Sequence, residues 1–126
     1  MKRHALLLVL CVFAALALLV ACGDGDSDDE GVAANPGTQL AVALTNDGCD
    51  PATLTAPAGN VTFAVTNKGS KTLELYILSG TKVVAEAENI APNFTKSTTA
   101  KDMKAGDYTL GCGSKDGPKG ALKITG

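Results

Sequence analysis

Hydrophobic and polar residues alternate along most of the chain from residue 38 onward. The apolar positions of the three clearest runs are Leu40, Val42 and Leu44, then Val61, Phe63 and Val65, and then Leu73, Leu75 and Ile77. A period of two is typical of strands that bury one face and expose the other. The pattern therefore predicts β-structure, with Phe63, Leu75, Ile77 and Leu110 in the core.

Clusters of Gly, Asn, Asp and Pro separate these runs and mark the turns between strands. We predict strands near residues 39–46, 53–56, 61–67, 72–79, 82–87, 94–99, 107–112 and 120–125. Residues 86–91 are also compatible with a brief helical turn. About eight short strands at this spacing predict a single all-β domain over residues 38–126, an antiparallel sandwich or barrel.

The first residues have the features of an export signal. Lys2 and Arg3 precede an apolar run at residues 5–20, which is closed by Leu19-Val20-Ala21-Cys22. The run of 16 residues is short for a membrane helix, which needs about 20. The pattern is similar to a bacterial lipoprotein signal peptide at residues 1–21, followed by a lipidated Cys22. An ordinary cleaved signal with an incidental cysteine is the alternative.

Charge is distributed unevenly after this signal. Five carboxylates fall within residues 23–31, so residues 22–37 are predicted to be an acidic, flexible linker. The domain that follows is nearly neutral, with 9 lysines and 8 acidic residues. It has no basic patch interleaved with aromatic residues, so nucleic acid is not an expected partner.

Several side chains of the domain could carry chemistry. Glu74 and Tyr76 share one face of a predicted strand, about 6.6 Å apart along it, and Glu86 and Glu88 form a second carboxylate pair. Either pair would also fit a solvated outward face. The one histidine, His4, lies in the leader. Because the domain lacks the usual general base, a hydrolytic triad is disfavoured and no enzyme is predicted.

Cys49 and Cys112 are the two cysteines of the domain. In an exported protein two free cysteines tend to pair, so chemistry alone favours a Cys49–Cys112 disulfide. Metal ligation by the same two residues is the alternative.

Several motifs together resemble the N-terminal cupredoxin-like domain of the EfeO iron-uptake family. The resemblance covers nearly all of residues 38–126. It rests on Cys49-Asp50-Pro51, Val61-Thr62-Phe63, Glu86-Ala87-Glu88-Asn89-Ile90-Ala91-Pro92, Ala105-Gly106-Asp107-Tyr108 and Cys112-Gly113.

This resemblance implies a cupredoxin-like Greek-key β-sandwich that binds iron or copper ions outside the cytoplasm. Its implied metal site is Cys49, Glu74, Tyr76 and Cys112, with Tyr76 standing where the family commonly has glutamate. Glu86 and Glu88 are candidates for a second site. The implied partners are the membrane, through the lipid anchor, and an iron-uptake permease or another metal-handling protein.

Three functions therefore stay open. The first is a lipid-anchored metal-binding module facing the periplasm or the cell exterior. The second is a disulfide-stapled binding or scaffold domain without a metal. The third, a redox or electron-transfer subunit, is weakened because a blue-copper site needs two histidines beside its cysteine.

Substitution of Cys22 tests the anchor. Cys22→Ser removes the thiol that would carry the lipid, so lipid labelling should be lost. The domain should then be released, or the precursor should stay unprocessed. Labelling at the wild-type level would contradict the anchor.

Overall fold

A computed structural model describes residues 37–126, and this range contains nine strands and no helix. The strands are β1 (Thr38–Thr45), β2 (Gly48–Asp50), β3 (Thr53–Pro57), β4 (Gly59–Asn67), β5 (Leu73–Ser79), β6 (Lys82–Ile90), β7 (Thr95–Met103), β8 (Gly106–Cys112) and β9 (Lys119–Thr125). Nothing in the described range is a helix long and apolar enough to cross a membrane. The predicted signal peptide, Cys22 and the linker up to residue 36 lie outside the described residues.

The strands form two sheets. One has four strands in the order β2-β1-β4-β7, and the other has five in the order β3-β9-β8-β5-β6. The prediction of an all-β sandwich is confirmed. Most neighbours are antiparallel, but β1 pairs with β4 and β3 pairs with β9 in parallel.

Two local predictions were wrong. The ninth strand is β2, in a segment where no strand was predicted, and it pairs with residues 43–45 of β1. Residues 86–90 belong to β6 and form no helical turn. Ala87 and Ile90 are both buried, three residues apart, because a β-bulge adds a residue between them, with Asn89 at a positive φ of 53°. A spacing of three within a bulged strand resembles helical periodicity.

Side chains from the inner faces of both sheets make the core. Phe63, Leu75, Ile77 and Leu110 each have 0% exposure, which confirms the predicted core. Complete burial of an apolar side chain of this size contributes roughly 1.5–3 kcal/mol.

Asn67 is the buried polar side chain of the described core, and all its polar atoms are paired. Its Nδ2 donates to the carbonyl oxygens of Lys71 and Ile90, each at 2.7 Å. Its Oδ1 accepts from the amide of Gly69, also at 2.7 Å. One amide therefore ties the end of β4 to the following loop and to the end of β6 in the other sheet.

The backbone of Asn67 extends this connection to the turn before β7. The amide of Asn67 donates to the Phe94 carbonyl at 2.9 Å, and the amide of Asn93 donates to the Asn67 carbonyl at 2.8 Å. Asn93 has a φ of 67°, a left-handed conformation that asparagine tolerates better than most residues. Three segments thus meet at Asn67.

Removal of this amide should be costly. Asn67→Ala leaves two carbonyl oxygens and one amide without their partner, and each unsatisfied buried group costs about 1–3 kcal/mol. We expect the free energy of unfolding in urea to fall by at least about 3 kcal/mol.

Asn46→Ala is the matched control, because the exposed Asn46 Oδ1 accepts from the amide and hydroxyl of Ser70 at the surface. It should cost less than about 1 kcal/mol, since water can replace its bonds. Equal losses in the two variants would contradict a special role for Asn67.

Candidate metal site

The candidate side chains lie on the outer face of the five-stranded sheet. Leu75 on β5 pairs with Cys112 on β8, and both are buried on the inner face. Successive side chains of a strand point to opposite faces, so Glu74 and Tyr76 point outward. On the other side of β5, Glu86 of β6 pairs with Tyr76 and shares this outer face.

Tyr76 lies between two carboxylates. Its hydroxyl contacts Glu74 Oε2 at 2.9 Å and Glu88 Oε1 at 3.2 Å, with the hydroxyl as donor. A phenol carries a single O–H, so the two carboxylates share one proton donor. We call Glu74, Tyr76, Glu86 and Glu88 the outer-face cluster.

These contacts change the acidity of the phenol. The hydrogen bond that the hydroxyl donates to Glu74 is the largest cause that raises the pKa of Tyr76 well above its usual range. Burial, the negative charges of Glu74 and Glu88, and the hydrogen bond donated to Glu88 raise this pKa further. Tyr76 is therefore a neutral phenol at neutral pH. It acts as a donor that holds the two carboxylates near one another.

The register of β5 with β6 brings Glu88 to this position. Tyr76 pairs with Glu86 and Leu75 with Ala87, so the same register sets Glu88 across from Glu74. The extra residue of the β-bulge falls beyond Glu88, so that Leu73 pairs with Ile90. The Glu88 carbonyl oxygen also accepts from Lys96 Nζ at 2.7 Å, which ties this part of β6 to β7.

A loop covers the other side of Tyr76. Gly111 of β8 pairs with Tyr76, and a side chain at this position would lie 2.9 Å from the Ser114 carbonyl oxygen. The loop after β8 therefore packs over the glycine, on the β8 side of Tyr76. Glu86 and Glu88 lie on the β6 side.

Cys49 and Cys112 are joined by a disulfide, with an S–S distance of 1.96 Å and a Cα–Cα distance of 5.4 Å. The bond links β2 of the four-stranded sheet to β8 of the five-stranded sheet. Cys112 is 1% exposed, whereas Cys49 is only half-buried. The loop-entropy account assigns about 4 kcal/mol to a bridge that closes a loop of this length.

The structure separates the four residues of the expected first site into two pairs. The disulfide faces the core, and Glu74 and Tyr76 face outward from the same sheet. This arrangement differs from a single four-ligand site, because disulfide sulfurs carry no thiolate charge and point away from the carboxylates. Glu88, which was grouped with Glu86 in a second site, instead contacts Tyr76.

The donors of the outer-face cluster are all oxygens, which suit hard cations rather than soft ones. Within residues 37–126, no group of three or more His, Cys, Asp or Glu side chains is close enough to hold a metal ion as it stands. Glu74 and Glu88 are the two that converge. A complete ligand set therefore needs Tyr76, a side-chain movement of Glu86, or a ligand from outside the domain.

Type 1 copper does not fit this donor set. That centre requires two histidine nitrogens and a cysteine thiolate in a trigonal plane. Residues 37–126 contain no histidine, and Cys112 is in the disulfide.

Sequence reasoning missed the meeting of Glu88 with Glu74. The i, i+2 spacing of Glu86 and Glu88 showed that they share a face, and the same spacing was noted for Glu74 and Tyr76. The contact between the pairs depends on the register of β5 with β6.

Comparison with known proteins identifies the family to which this sandwich belongs. A family model described as a cupredoxin-like domain matches residues 7–124. The chain belongs to the cupredoxin-like domain family. The match covers nearly the whole sandwich, and with it all the motifs on which the resemblance rests.

Curated relatives make the likeness more specific. This cupredoxin-like chain is 44% identical over 87 residues to the iron uptake system component EfeO of Yersinia pestis, which covers 69% of this chain and 23% of the relative. It is 42% identical over 88 residues to EfeO of Escherichia coli strain K12, covering 70% and 23% respectively. The resemblance to an EfeO-type cupredoxin-like domain is confirmed. The chain spans about a quarter of the length of these relatives.

Solved structures share the fold at low sequence identity. Auracyanin from Roseiflexus castenholzii aligns with a TM-score of 0.62 at 16% identity, over 71% of this chain and 98% of its own. Auracyanin B aligns with a TM-score of 0.64 at 15% identity, over 72% of this chain and 91% of its own. An azurin from Methylomonas sp. strain J aligns with a TM-score of 0.58 at 14% identity, over 71% of this chain and 98% of its own. The predicted cupredoxin-like β-sandwich is confirmed.

Addition of Cu²⁺ to the purified chain should produce no intense blue absorption. The reason is the donor set, which contains no histidine to complete the trigonal plane. The measurement is a visible spectrum near neutral pH, taken before and after reduction of the disulfide. An intense thiolate-to-copper band in either state would contradict this prediction.

Proposed function

We propose that this chain is a lipid-anchored, extracytoplasmic module that binds iron for an EfeO-type iron-uptake system at the outer-face cluster. The observation that carries the proposal is the convergence of Glu74 and Glu88 on the Tyr76 hydroxyl. Two carboxylates that share one donor form a concentrated negative charge on a rigid sheet. The ion is the cargo of the module, and no catalytic step is assigned.

The donor chemistry favours Fe³⁺ among the metals considered. Carboxylate oxygens are hard ligands, and the phenol becomes a strong one once it loses its proton to solvent. Because the Tyr76 pKa is raised, a cation must compete with that proton, and the higher charge of Fe³⁺ makes it a better competitor than a divalent ion. Cu²⁺ is the second candidate cargo.

The relatives support the context of the proposal. Those proteins bear the name of iron uptake system components, and about three-quarters of each lies outside the region matched. We infer that the module works with an iron-uptake permease or another metal-handling protein. A Cys22 anchor would hold the module at the membrane beside them.

A disulfide-stapled scaffold without a metal is the second candidate function. It is favoured by the Cys49–Cys112 bond, which gives the cysteines a structural role that needs no ion. Metal titration of the outer-face cluster separates the two functions. A redox subunit is the least supported, because the domain lacks histidine ligands.

Carboxylate variants test the binding site. The oxidised full chain is titrated with ferric nitrilotriacetate and, separately, with Cu²⁺, and binding is followed by competition. Loss of a hydrogen-bond partner of a metal ligand already costs roughly 10–100-fold in metal affinity. Glu74→Gln and Glu88→Gln should therefore each weaken binding by at least about tenfold. Glu86→Gln should have a smaller effect.

Asp107→Asn is the matched control for these variants. Asp107 is exposed on β8, four residues along the strand from Gly111, the partner of Tyr76. It therefore lies about 13 Å from the cluster along the sheet and should leave binding unchanged. If Glu74→Gln and Glu88→Gln bind iron and copper as the wild type does, the scaffold function replaces this one.

The two tyrosines provide a spectroscopic test. A phenolate bound to Fe³⁺ gives a visible charge-transfer absorption, which Tyr76→Phe should abolish. Tyr108→Phe is the control, because the Tyr108 hydroxyl donates to the Lys104 carbonyl at 3.0 Å, away from the cluster. An iron-loaded chain whose band survives Tyr76→Phe would exclude Tyr76 as a ligand.

A further inference from the structure

The disulfide and the outer-face cluster are joined by one short segment of backbone. The Glu74 amide donates to the Gly113 carbonyl at 3.2 Å, and the Gly113 amide donates to the Glu74 carbonyl at 2.9 Å. Gly113 directly follows Cys112. The two hydrogen bonds therefore make the position of Glu74 dependent on the position of the bridged cysteine.

The end of β8 is paired with β5 on one side and with β9 on the other. Gly113 has no side chain, and its φ of 87° is one that other residues rarely adopt. The Cys112 amide donates to the Pro118 carbonyl at 2.9 Å, across a loop that has no regular secondary structure. The link to Cys49 is the covalent restraint that crosses to the other sheet.

The other end of that link is a short strand. β2 has three residues, and it pairs with Ala43, Leu44 and Thr45 of β1. β2 does not pair with β8, so once the sulfurs are separated no covalent bond joins them and the end of β8 keeps its pairing with β5 and β9 alone. Loss of the bond should therefore act on the Cys112–Gly113 segment first.

We propose that the Cys49–Cys112 disulfide positions Glu74 for cation binding, so that reduction of this bond by a dithiol weakens the outer-face cluster. The proposal rests on the proposed function for its cation, but its structural part can be tested without one. Oxidised protein holds the cation, and reduced protein releases it. The disulfide is a positioning element, because its sulfurs face the core and do not contact the cation.

The direction of attack follows from burial. A thiolate of the dithiol attacks the half-buried Cys49 sulfur, because Cys112 is 1% exposed. A mixed disulfide forms at Cys49, the old S–S bond breaks, and Cys112 leaves as a thiolate that takes up a proton. The second thiol of the reductant then attacks the reductant sulfur that is bonded to Cys49. This closes a disulfide within the reductant and releases Cys49 as a thiol. Two electrons and two protons pass to the protein, and the dithiol becomes a disulfide.

The first test measures amide hydrogen exchange of the full chain without metal, before and after reduction with dithiothreitol. We expect exchange at the amides of Glu74 and Gly113 to accelerate at least about tenfold, because their paired hydrogen bonds open locally. The control is the Ala58 amide, which donates to the Thr125 carbonyl at 2.8 Å near the ends of β3 and β9. It should change little.

Two results of this test would overturn the proposal. Unchanged exchange at Glu74 and Gly113 would show that the disulfide does not position them. Equal acceleration at Ala58 would show that the bond holds the whole domain together and has no local role.

The second test measures binding of Ga³⁺, a hard trivalent ion that thiols do not reduce. Oxidised wild type, reduced wild type and the double variant C49S/C112S are compared. We expect binding to be at least about tenfold weaker in the last two, in the range seen when a supporting partner of a ligand is lost. The double variant has no sulfur donors, so it separates loss of positioning from ligation by thiolates.

The outcomes distinguish this inference from the proposed function. Oxidised protein that binds neither Ga³⁺ nor Fe³⁺ would overturn the proposed function, and the exchange test would still decide whether the disulfide positions Glu74. Equal Ga³⁺ affinity in oxidised wild type and C49S/C112S would overturn the proposed effect of the disulfide on cation binding. The binding site itself would stand. The exchange rate at Ala58 reports whether each protein is folded.

Discussion

The buried amide of Asn67 holds together the end of the molecule on which the candidate site depends. Its bond to the Ile90 carbonyl connects the last residue of β4 to the last residue of β6, across the two sheets. Glu88 lies two residues before Ile90, at the bulge. The candidate site lies at the surface, but a buried side chain fixes the strand that carries Glu88. Burial of the Asn67 amide would be costly without its three hydrogen-bond partners.

Alternation along the chain was enough to predict the sandwich and part of the site. It placed Phe63, Leu75 and Ile77 in the core, and by the same alternation it placed Glu74 and Tyr76 together on the opposite face. It could not predict β2, because the Gly48-Cys49-Asp50 segment has no alternating pattern and becomes a strand only through pairing with β1. Nor could it show that Cys112 and Glu74 face opposite sides of a sheet, since that follows from the in-register pairing of Cys112 with Leu75.

The meeting of Glu88 with Tyr76 lies further from what a pattern can show. It requires the register that pairs Tyr76 with Glu86 and Leu75 with Ala87, and this register is decided by tertiary contacts. The bulge lies beyond Glu88 and explains a different result, the spacing of three between the buried Ala87 and Ile90 where a helical turn was compatible with the sequence.

The parallel pairing of β3 with β9 has a consequence for the order in which the domain can form. Thr53 pairs with Ala121, sixty-eight residues later, and β9 lies between β3 and β8 in its sheet. The five-stranded sheet therefore stays open until residues 119–125 are present to fill the gap. Contacts of such long sequence separation slow folding, towards milliseconds to seconds for all-β domains. A growing chain would have Cys49 exposed as a free thiol for as long as Cys112 and the strand beside it are missing, so native pairing of the sulfurs belongs among the last steps of assembly.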